Sequence, residues 1–244
     1  MGIPIIIPSA HRAASVLTRI EGAILFVPET ERTAYKAHHP HAEIIGHPPM
    51  GNLAQKRQAI YDQFGDHFQV DDDIKEVVRF HDPEADPRLT PAEAAQLIQV
   101  TYETAQAAGA YLFGFSRSPN PKHYNAHKPI MLVGYINACA FGLRQSKHLF
   151  FTPHTTAAES HWITLLNAYH HRYAWIDTRF HFAQAPNSTF TRPGGQAAKR
   201  TLASERRDTL FLRRMFGNAV RIKKGRATDS KALHKYQRTV RIPF

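Results

Sequence analysis

The chain has 244 residues, 43% of them hydrophobic and 21% charged, a balance that suits one large folded domain and excludes wholesale disorder. Its single cysteine, Cys139, excludes a disulfide framework and points to a reducing, cytoplasmic setting. The longest apolar run, Pro129 to Leu143, is too short to span a bilayer and carries Asn137, and no basic stretch precedes the apolar Ile3–Ile7 run, so neither a membrane span nor a secretory leader is expected.

In chain order, Ile3–Ile7 reads as a buried strand ended by Pro8-Ser9, and Ala13–Ile20 as a helix. Ala23–Val27 is a second strand stopped by Pro28, Glu29–Ala37 a helix, and Glu43–Gly46 a third strand. Asn52–Phe64 has helical spacing through Leu53, Ile60 and Phe64, and Phe68–Val70 is a fourth strand. Thr90-Pro91-Ala92-Glu93 has the form of a capping box with proline at the first helical position, which predicts a helix to about Ala108, closed by Gly109. Tyr111–Phe115 and Ile130–Val133 read as strands, Thr156–His171 as a helix, and Tyr173–Asp177 as a strand. Gln196–Phe216 reads as a long basic helix, Ala219–Ile222 as a short strand, and residues 227–244 as an extended tail. The alternation of strand and helix predicts an α/β fold with a mostly parallel, Rossmann-like sheet flanked by helices. One domain would cover residues 1–222, with a basic tail over 223–244.

Asp71-Asp72-Asp73 follows the fourth strand directly, where open α/β sheets bind ligands. Three adjacent carboxylates repel one another unless a cation joins them, and hard divalent cations prefer oxygen ligands. The bland alternative is a solvated acidic turn. Ser9, with backbone N–H groups at a helix start, and Arg12 and Arg57 behind successive strand ends are placed to receive phosphate. Glu159 stands near the start of a predicted helix, as a general base would or as a residue favoured by the helix dipole.

Charge is unevenly placed. The net charge is +11, yet from Arg192 onward there are 15 basic and 3 acidic residues, against 16 and 17 in the preceding 191. This asymmetry predicts a polyanionic partner, nucleic acid ahead of lipid, with a solubilising tail as the alternative.

The acid triplet resembles the Asp-any-Asp motif of GT-A glycosyltransferases. The resemblance extends to Ile5–Ser9 with Arg12, to Ile24–Glu31, and to Ile44–Pro48 with Gly51 and Lys56-Arg57. It implies Mn2+ or Mg2+ on Asp73 and His181. It also implies a nucleotide-sugar, a uridine diphosphate sugar, over Pro8, Ser9, Arg12, His47, Arg57, Asp71 and Asp72, with Glu159 as the catalytic acid. Many such enzymes carry Glu-Asp where this chain has Glu159-Ser160. Gly194-Gly195 with the basic residues that follow, and Phe216-Gly217-Asn218, narrow the likeness to the TET/JBP-associated glycosyltransferases, relatives of the base J glucosyltransferase. Many of those are phage-encoded, and they act on a hydroxymethylated pyrimidine in DNA. On that likeness Arg192, Lys199, Arg200, Arg206, Arg207, Lys223 and Lys224 would contact DNA. A saccharide or protein acceptor, or nucleic-acid binding without catalysis, are the competing readings.

Overall fold

The computed structural model describes residues 2–185, 201–222 and 238–242. Twelve strands are described: β1 (Ile5–Pro8), β2 (Ile24–Pro28), β3 (Glu43–His47), β4 (His67–Val70), β5 (Ile74–Arg79), β6 (Leu112–Phe115), β7 (Ile130–Met131), β8 (Ala140–Leu143), β9 (Trp175–Asp177), β10 (Phe180–Gln184), β11 (Val220–Ile222) and β12 (Arg238–Val240). The α-helices among the described residues are α1 (Arg32–His38), α2 (Leu53–Phe64), α3 (Pro91–Ala107), α4 (Glu159–His171) and α5 (Leu202–Phe216).

Eight strands form one sheet in the order β3-β2-β1-β4-β8-β6-β9-β7. The first four run parallel, with α1 and α2 as helical crossovers and an extended link from β1 to β2, and β6 and β9 are also parallel; β8 runs against β4 and β6, and β7 against β9. The result is an α/β fold with a large, mostly parallel central sheet flanked by helices. Alternation along β1 divides the core. Ile5 and Ile7 join α3, Phe68, Phe113, Phe115 and Phe182 on one face, while Ile6 meets Phe26 and Ile60 of α2 on the other. Beyond β8, that second face is filled by Trp162, Leu165 and Leu166 of α4 and Leu212 of α5.

The expected capping box is present at α3, with Thr90 receiving the Glu93 N–H, and Gly109 takes a positive φ of 78° just past the helix. Asn52 caps α2 in the same way. Three expectations need correction. The stretch Ala13–Ile20 is not an α-helix. Only Ala13–Ser15 makes a 3-10 turn, and then Val16, Thr18 and Ile20 are buried while Leu17 and Arg19 are exposed. That period of two belongs to an extended strap, which a β-branched run favours over a helix. Helix α4 starts at Glu159, three residues later than expected, because the N–H groups of Thr156 and Ala157 go to Asp208 rather than into a helix. Helix α5 starts at Leu202, where Thr201 supplies the cap, later than expected; the expected first residues, 196–200, lie outside the described residues.

Strands β5, β8 and β10 were not expected. β5 and β10 form an antiparallel ribbon of their own. β12 pairs with β11, so a piece of the basic C-terminal stretch is attached to the body. Among the described residues no helix is long and apolar enough to cross a membrane.

Candidate active site

A cleft of about 570 Å³ opens at the carboxyl ends of β1–β4. Pro8, Ser9, Arg12, His47, Asp71, Asp72, Asp73 and Glu159 all line it, together with Lys56, Tyr135, Ser160, His161 and Gln184. Residues far apart in the sequence, Pro8 and Glu159 among them, therefore meet in one cleft. Arg57 and His181 do not line it.

The three carbonyls of the acid triplet and the Asp71 N–H are all hydrogen-bonded. The Asp71 N–H donates to the Cys139 carbonyl (2.8 Å), prolonging the β4–β8 ladder. The Asp72 carbonyl accepts from Leu17 (2.8 Å), and the Asp73 carbonyl from Ala185 (2.9 Å). Thr18 in the strap gives its hydroxyl to the Asp71 carbonyl and accepts the Ile74 N–H. The turn is thus fixed from three sides, and its carboxylates are held in place before any ligand arrives.

The three carboxylates have different duties. Asp72 is engaged by the Arg12 guanidinium (2.6 Å) and by the Ser9 hydroxyl, which also contacts the Tyr35 hydroxyl (2.7 Å). Asp71 receives Arg57 Nη2 at 2.9 Å, and Arg57 also reaches Gln69 (3.0 Å) and the Ala138 carbonyl (3.0 Å). Burial pushes the Asp71 carboxyl up to about 7 against the pull of Arg57, and Asp73, Asp72 and Glu159 add to the rise. Asp73 takes one amide hydrogen bond from Gln184 (3.1 Å) at one oxygen.

Arg57 is therefore not a phosphate reader. It lies fully buried beneath the cleft, with its guanidinium over the Phe141 ring (5.1 Å) and its hydrogen bonds spent on Asp71 and its surroundings. The cation that α2 brings to the cleft is its neighbour Lys56, whose Nζ donates to the Ser9 carbonyl (2.9 Å) and whose ammonium is held down to about 8 by burial. One position along a helix separates the two residues, and the helix turn sends one inward and the other to the ligand side.

The loop after β1 offers no open set of backbone donors. The N–H groups of Ser9, His11 and Arg12 go to the Phe26 carbonyl, Glu31 and the Tyr35 hydroxyl. His11 adopts a positive φ of 58° to make this turn and also pairs its ring with Glu31 (2.9 Å). Anionic groups entering here would meet side-chain cations rather than a helix start.

His181 is displaced by register. It pairs with Val78 on β5, whereas Gln184 pairs with Ile74, next to Asp73. Three residues of strand put His181 roughly 10 Å further along, where its Nδ1 bonds to the Ser116 carbonyl (2.8 Å) and its ring stacks on Phe80. Among the described residues no three His, Cys, Asp or Glu side chains form a metal cage. Mg2+ and similar hard cations commonly take one or two protein carboxylates and complete their shell with water and phosphate oxygens. Asp73, with Asp71 beside it, fits that type of site.

Glu159 opens α4. Its Oε2 is buried without a hydrogen-bond partner, a costly arrangement unless a ligand supplies a donor. The segment before it is held from the C-terminal part of the chain. Asp208 accepts the Thr156 and Ala157 N–H groups (2.9 and 2.7 Å), Arg207 donates to the Thr156 hydroxyl (2.5 Å), and Arg238 reaches the Ala157 carbonyl (3.0 Å). Arg238 is itself buried against Glu205 (2.9 Å). Two of the residues expected to bind DNA are described: Arg206 is exposed, and Arg207 is occupied in bracing this segment. Arg192, Lys199, Arg200, Lys223 and Lys224 lie outside the described residues.

On the far wall His47 stacks on Phe26 at 4.8 Å. Its Nδ1 faces the Pro48 carbonyl at 2.7 Å and so carries the proton, while burial lowers its pKa; its buried Nε2 is left as an acceptor with no partner.

No protein-family model matches the chain, and no curated protein sequence matches it. Among solved structures, a CMP:2-keto-3-deoxy-manno-octonic acid synthetase complexed with CTP is similar, with 15% identity, 88% of this chain and 100% of that chain covered, and a TM-score of 0.39. At that score the likeness decides neither the fold family nor the substrate, and the cleft must speak through its own residues.

Proposed function

We propose that the chain is a metal-dependent glycosyltransferase of the GT-A type. It moves a sugar from a uridine diphosphate sugar to the hydroxyl of a hydroxymethylated pyrimidine in DNA. The observation that carries this reading is the cleft's pairing of two features: a fixed carboxylate turn with Lys56 beside it, and the buried, partnerless Glu159 oxygen on the same wall system. The first suits a diphosphate with its cation, and the second suits a hydroxyl that must lose a proton.

Asp73 and Asp71 would hold Mn2+ or Mg2+. When bound, such a cation neutralises charge developing on the departing diphosphate. Lys56 adds a second positive charge, and the Arg12–Asp72–Ser9 network keeps the β1 loop rigid around the nucleotide. Glu159 accepts the proton of the acceptor hydroxyl. The freed oxygen forms a bond to the anomeric carbon as that carbon's bond to the β-phosphate oxygen breaks, and the nucleoside diphosphate leaves with the electron pair. Inversion at the sugar carbon follows from the family resemblance. The DNA acceptor is supported by that resemblance and by the basic C-terminal quarter.

The test is a product assay. The protein is incubated with Mn2+, a panel of uridine diphosphate sugars, and DNA with or without 5-hydroxymethylpyrimidines; nucleosides are then weighed by mass spectrometry. A hexose or pentose mass gain confined to hydroxymethylated DNA is expected. Donor hydrolysis with no DNA product would move the acceptor to a saccharide or protein. No product, and no thermal stabilisation by uridine diphosphate with Mn2+, would overturn the enzymatic reading.

A further inference from the structure

The stretch that joins β6 to β8 has a composition unlike the rest of the chain. No Asp or Glu occurs between Glu103 and Glu159, while Arg117, Lys122 and Lys128 fall within the connection itself. All three are exposed, as are His123 and His127. Apart from the two-residue strand β7 and a 3-10 turn at Pro121–His123, this long connection has no regular structure. Connections of that length inside a compact domain are uncommon and are frequently functional.

The loop is nevertheless anchored. Asn120 caps the 3-10 turn through the Lys122 N–H (3.0 Å), and the Ser118 hydroxyl meets the His123 ring (2.7 Å). The Lys128 N–H donates to the Asn125 carbonyl (2.9 Å), and β7 pairs with β9 at the sheet edge. Asp177 on β9 is bound in two places by Arg179 (3.0 and 2.7 Å), so it leaves little free negative charge against the loop. Just past β5 the Phe80 N–H donates to the Arg179 carbonyl (2.7 Å), and the acidic residues Asp82, Glu84 and Asp86 follow in the chain.

One end of the loop reaches the cleft. The Arg117 guanidinium lies over the Tyr135 ring at 5.6 Å, Tyr135 lines the cleft, and its hydroxyl bonds to Ser160 next to Glu159 (2.6 Å). A polymer of regularly spaced anions lying on Lys128, Lys122 and Arg117 would thus arrive at the side of the cleft that holds Glu159. Isolated lysines and an arginine in an acid-free stretch of chain suit a phosphate backbone, which needs point charges and no deep pocket.

We propose that the β6–β8 loop, through Arg117, Lys122 and Lys128, is the surface on which the phosphate backbone of the acceptor DNA lies. The acceptor base enters the cleft past Tyr135. This rests on the DNA acceptor proposed above and assigns it to a surface different from the C-terminal quarter.

The experiment measures affinity for a hydroxymethylcytosine-containing oligonucleotide by fluorescence anisotropy across a salt series. It compares the wild-type chain, the triple variant Arg117→Gln, Lys122→Gln, Lys128→Gln, and the charge-preserving variant Arg117→Lys, Lys122→Arg, Lys128→Arg. Removing three phosphate contacts should reduce the slope of log affinity against log salt by about two to three, with a loss of roughly ten- to a hundred-fold near 0.1 M salt. The charge-preserving variant should keep the wild-type slope, and matching melting temperatures for all three proteins show that the fold is not the cause. An unchanged slope in the triple variant overturns this surface while leaving the proposed reaction intact. Wild-type protein without salt-dependent DNA affinity overturns both, and the mass assay then reports which acceptor, if any, is used. Poly-glutamate competing as well as DNA at equal charge would make the loop a general site for acidic polymers and overturn the nucleic-acid assignment.

Discussion

At the scale of single residues, the cleft separates groups that act from groups that hold. Glu159→Gln keeps the shape and removes the proposed proton acceptor, so kcat should fall on the order of 10²- to 10⁴-fold. Thermal stabilisation by uridine diphosphate and Mn2+ should persist in that variant; an undiminished kcat would dismiss Glu159 as the base. Asp73→Ala should abolish the Mn2+-dependent part of that stabilisation, and an unchanged melting shift would remove Asp73 from the cation. Arg57→Leu tests the opposite role. It leaves Asp71 without its buried partner, which costs about 3–5 kcal/mol in such pairs, so the loss should appear in a urea melt without any ligand present. The exchange between Arg57 and Lys56 explains why sequence reading misplaced this charge. Both follow the same strand and turn, and only the packing of α2 on the sheet decides which one is swallowed. His181 was misplaced for a similar reason: a strand's direction was legible, while its register with a partner far away in sequence was not.

At the scale of elements, the legible parts were those whose signals are local. The capping box at Thr90 and the first four β strands with their stop signals lie where chain chemistry put them. Three strands escaped. Gly142 and Ala140 dilute the apolar pattern of β8, and a Cβ at Gly142 would lie 1.8 Å from the Phe113 ring, so glycine there serves close packing, not a turn. Gly142→Ala should therefore destabilise the chain by about 1–3 kcal/mol through overpacking, readable as a lower urea midpoint with unchanged m. Helix α5 shows a second kind of concealment. Its arginines read as a nucleic-acid face, yet Asp208, buried on its inner side, caps the segment leading to Glu159. Asp208→Ala should leave the KM for the donor nearly unchanged and lower kcat by about tenfold or more, because small displacements of a catalytic group are expensive. An equal fall in binding and turnover would show that the helix merely supports the fold.

At the scale of the whole molecule, stability should respond to pH through two groups, His67 and Asp71, of which the sequence singled out only Asp71. His67 is fully buried as a neutral ring, with Nδ1 donating to the Gly65 carbonyl (2.7 Å) and Nε2 facing the Gln69 amide (2.8 Å), and burial holds its pKa down to about 4. The unfolded chain protonates this ring near its ordinary value of 6.5, while the folded chain resists until about pH 4. Its contribution is therefore whole above pH 6.5 and is lost as pH falls towards 4, about 2 kcal/mol of it between pH 7 and 5. Asp71, raised to about 7, works in the other sense in the metal-free protein: the folded state keeps that proton up to neutral pH, which favours folding as pH falls. Wild-type stability should then vary little from pH 7 to 5, whereas His67→Phe, whatever its stability at pH 7, should gain on the wild type as pH falls. Parallel curves would refute the assignment. The charge imbalance was visible from composition, but the attachment of β12 through Arg238 and Glu205 was not, because an ion pair between residues 33 positions apart leaves no periodic trace.

The antiparallel seam where β4 meets β8 has an implication for how such a protein could change. The stretch from β1 through the acid triplet furnishes the wall proposed for the nucleotide; the stretch after it furnishes Tyr135, Glu159 and the basic loop. On the proposed chemistry, the choice of cargo and the choice of destination are written in consecutive, scarcely interleaved stretches of sequence. A chimera joined near Ile74 could inherit its sugar from one parent and its target from the other, with the β5–β10 ribbon as the main junction to be rematched.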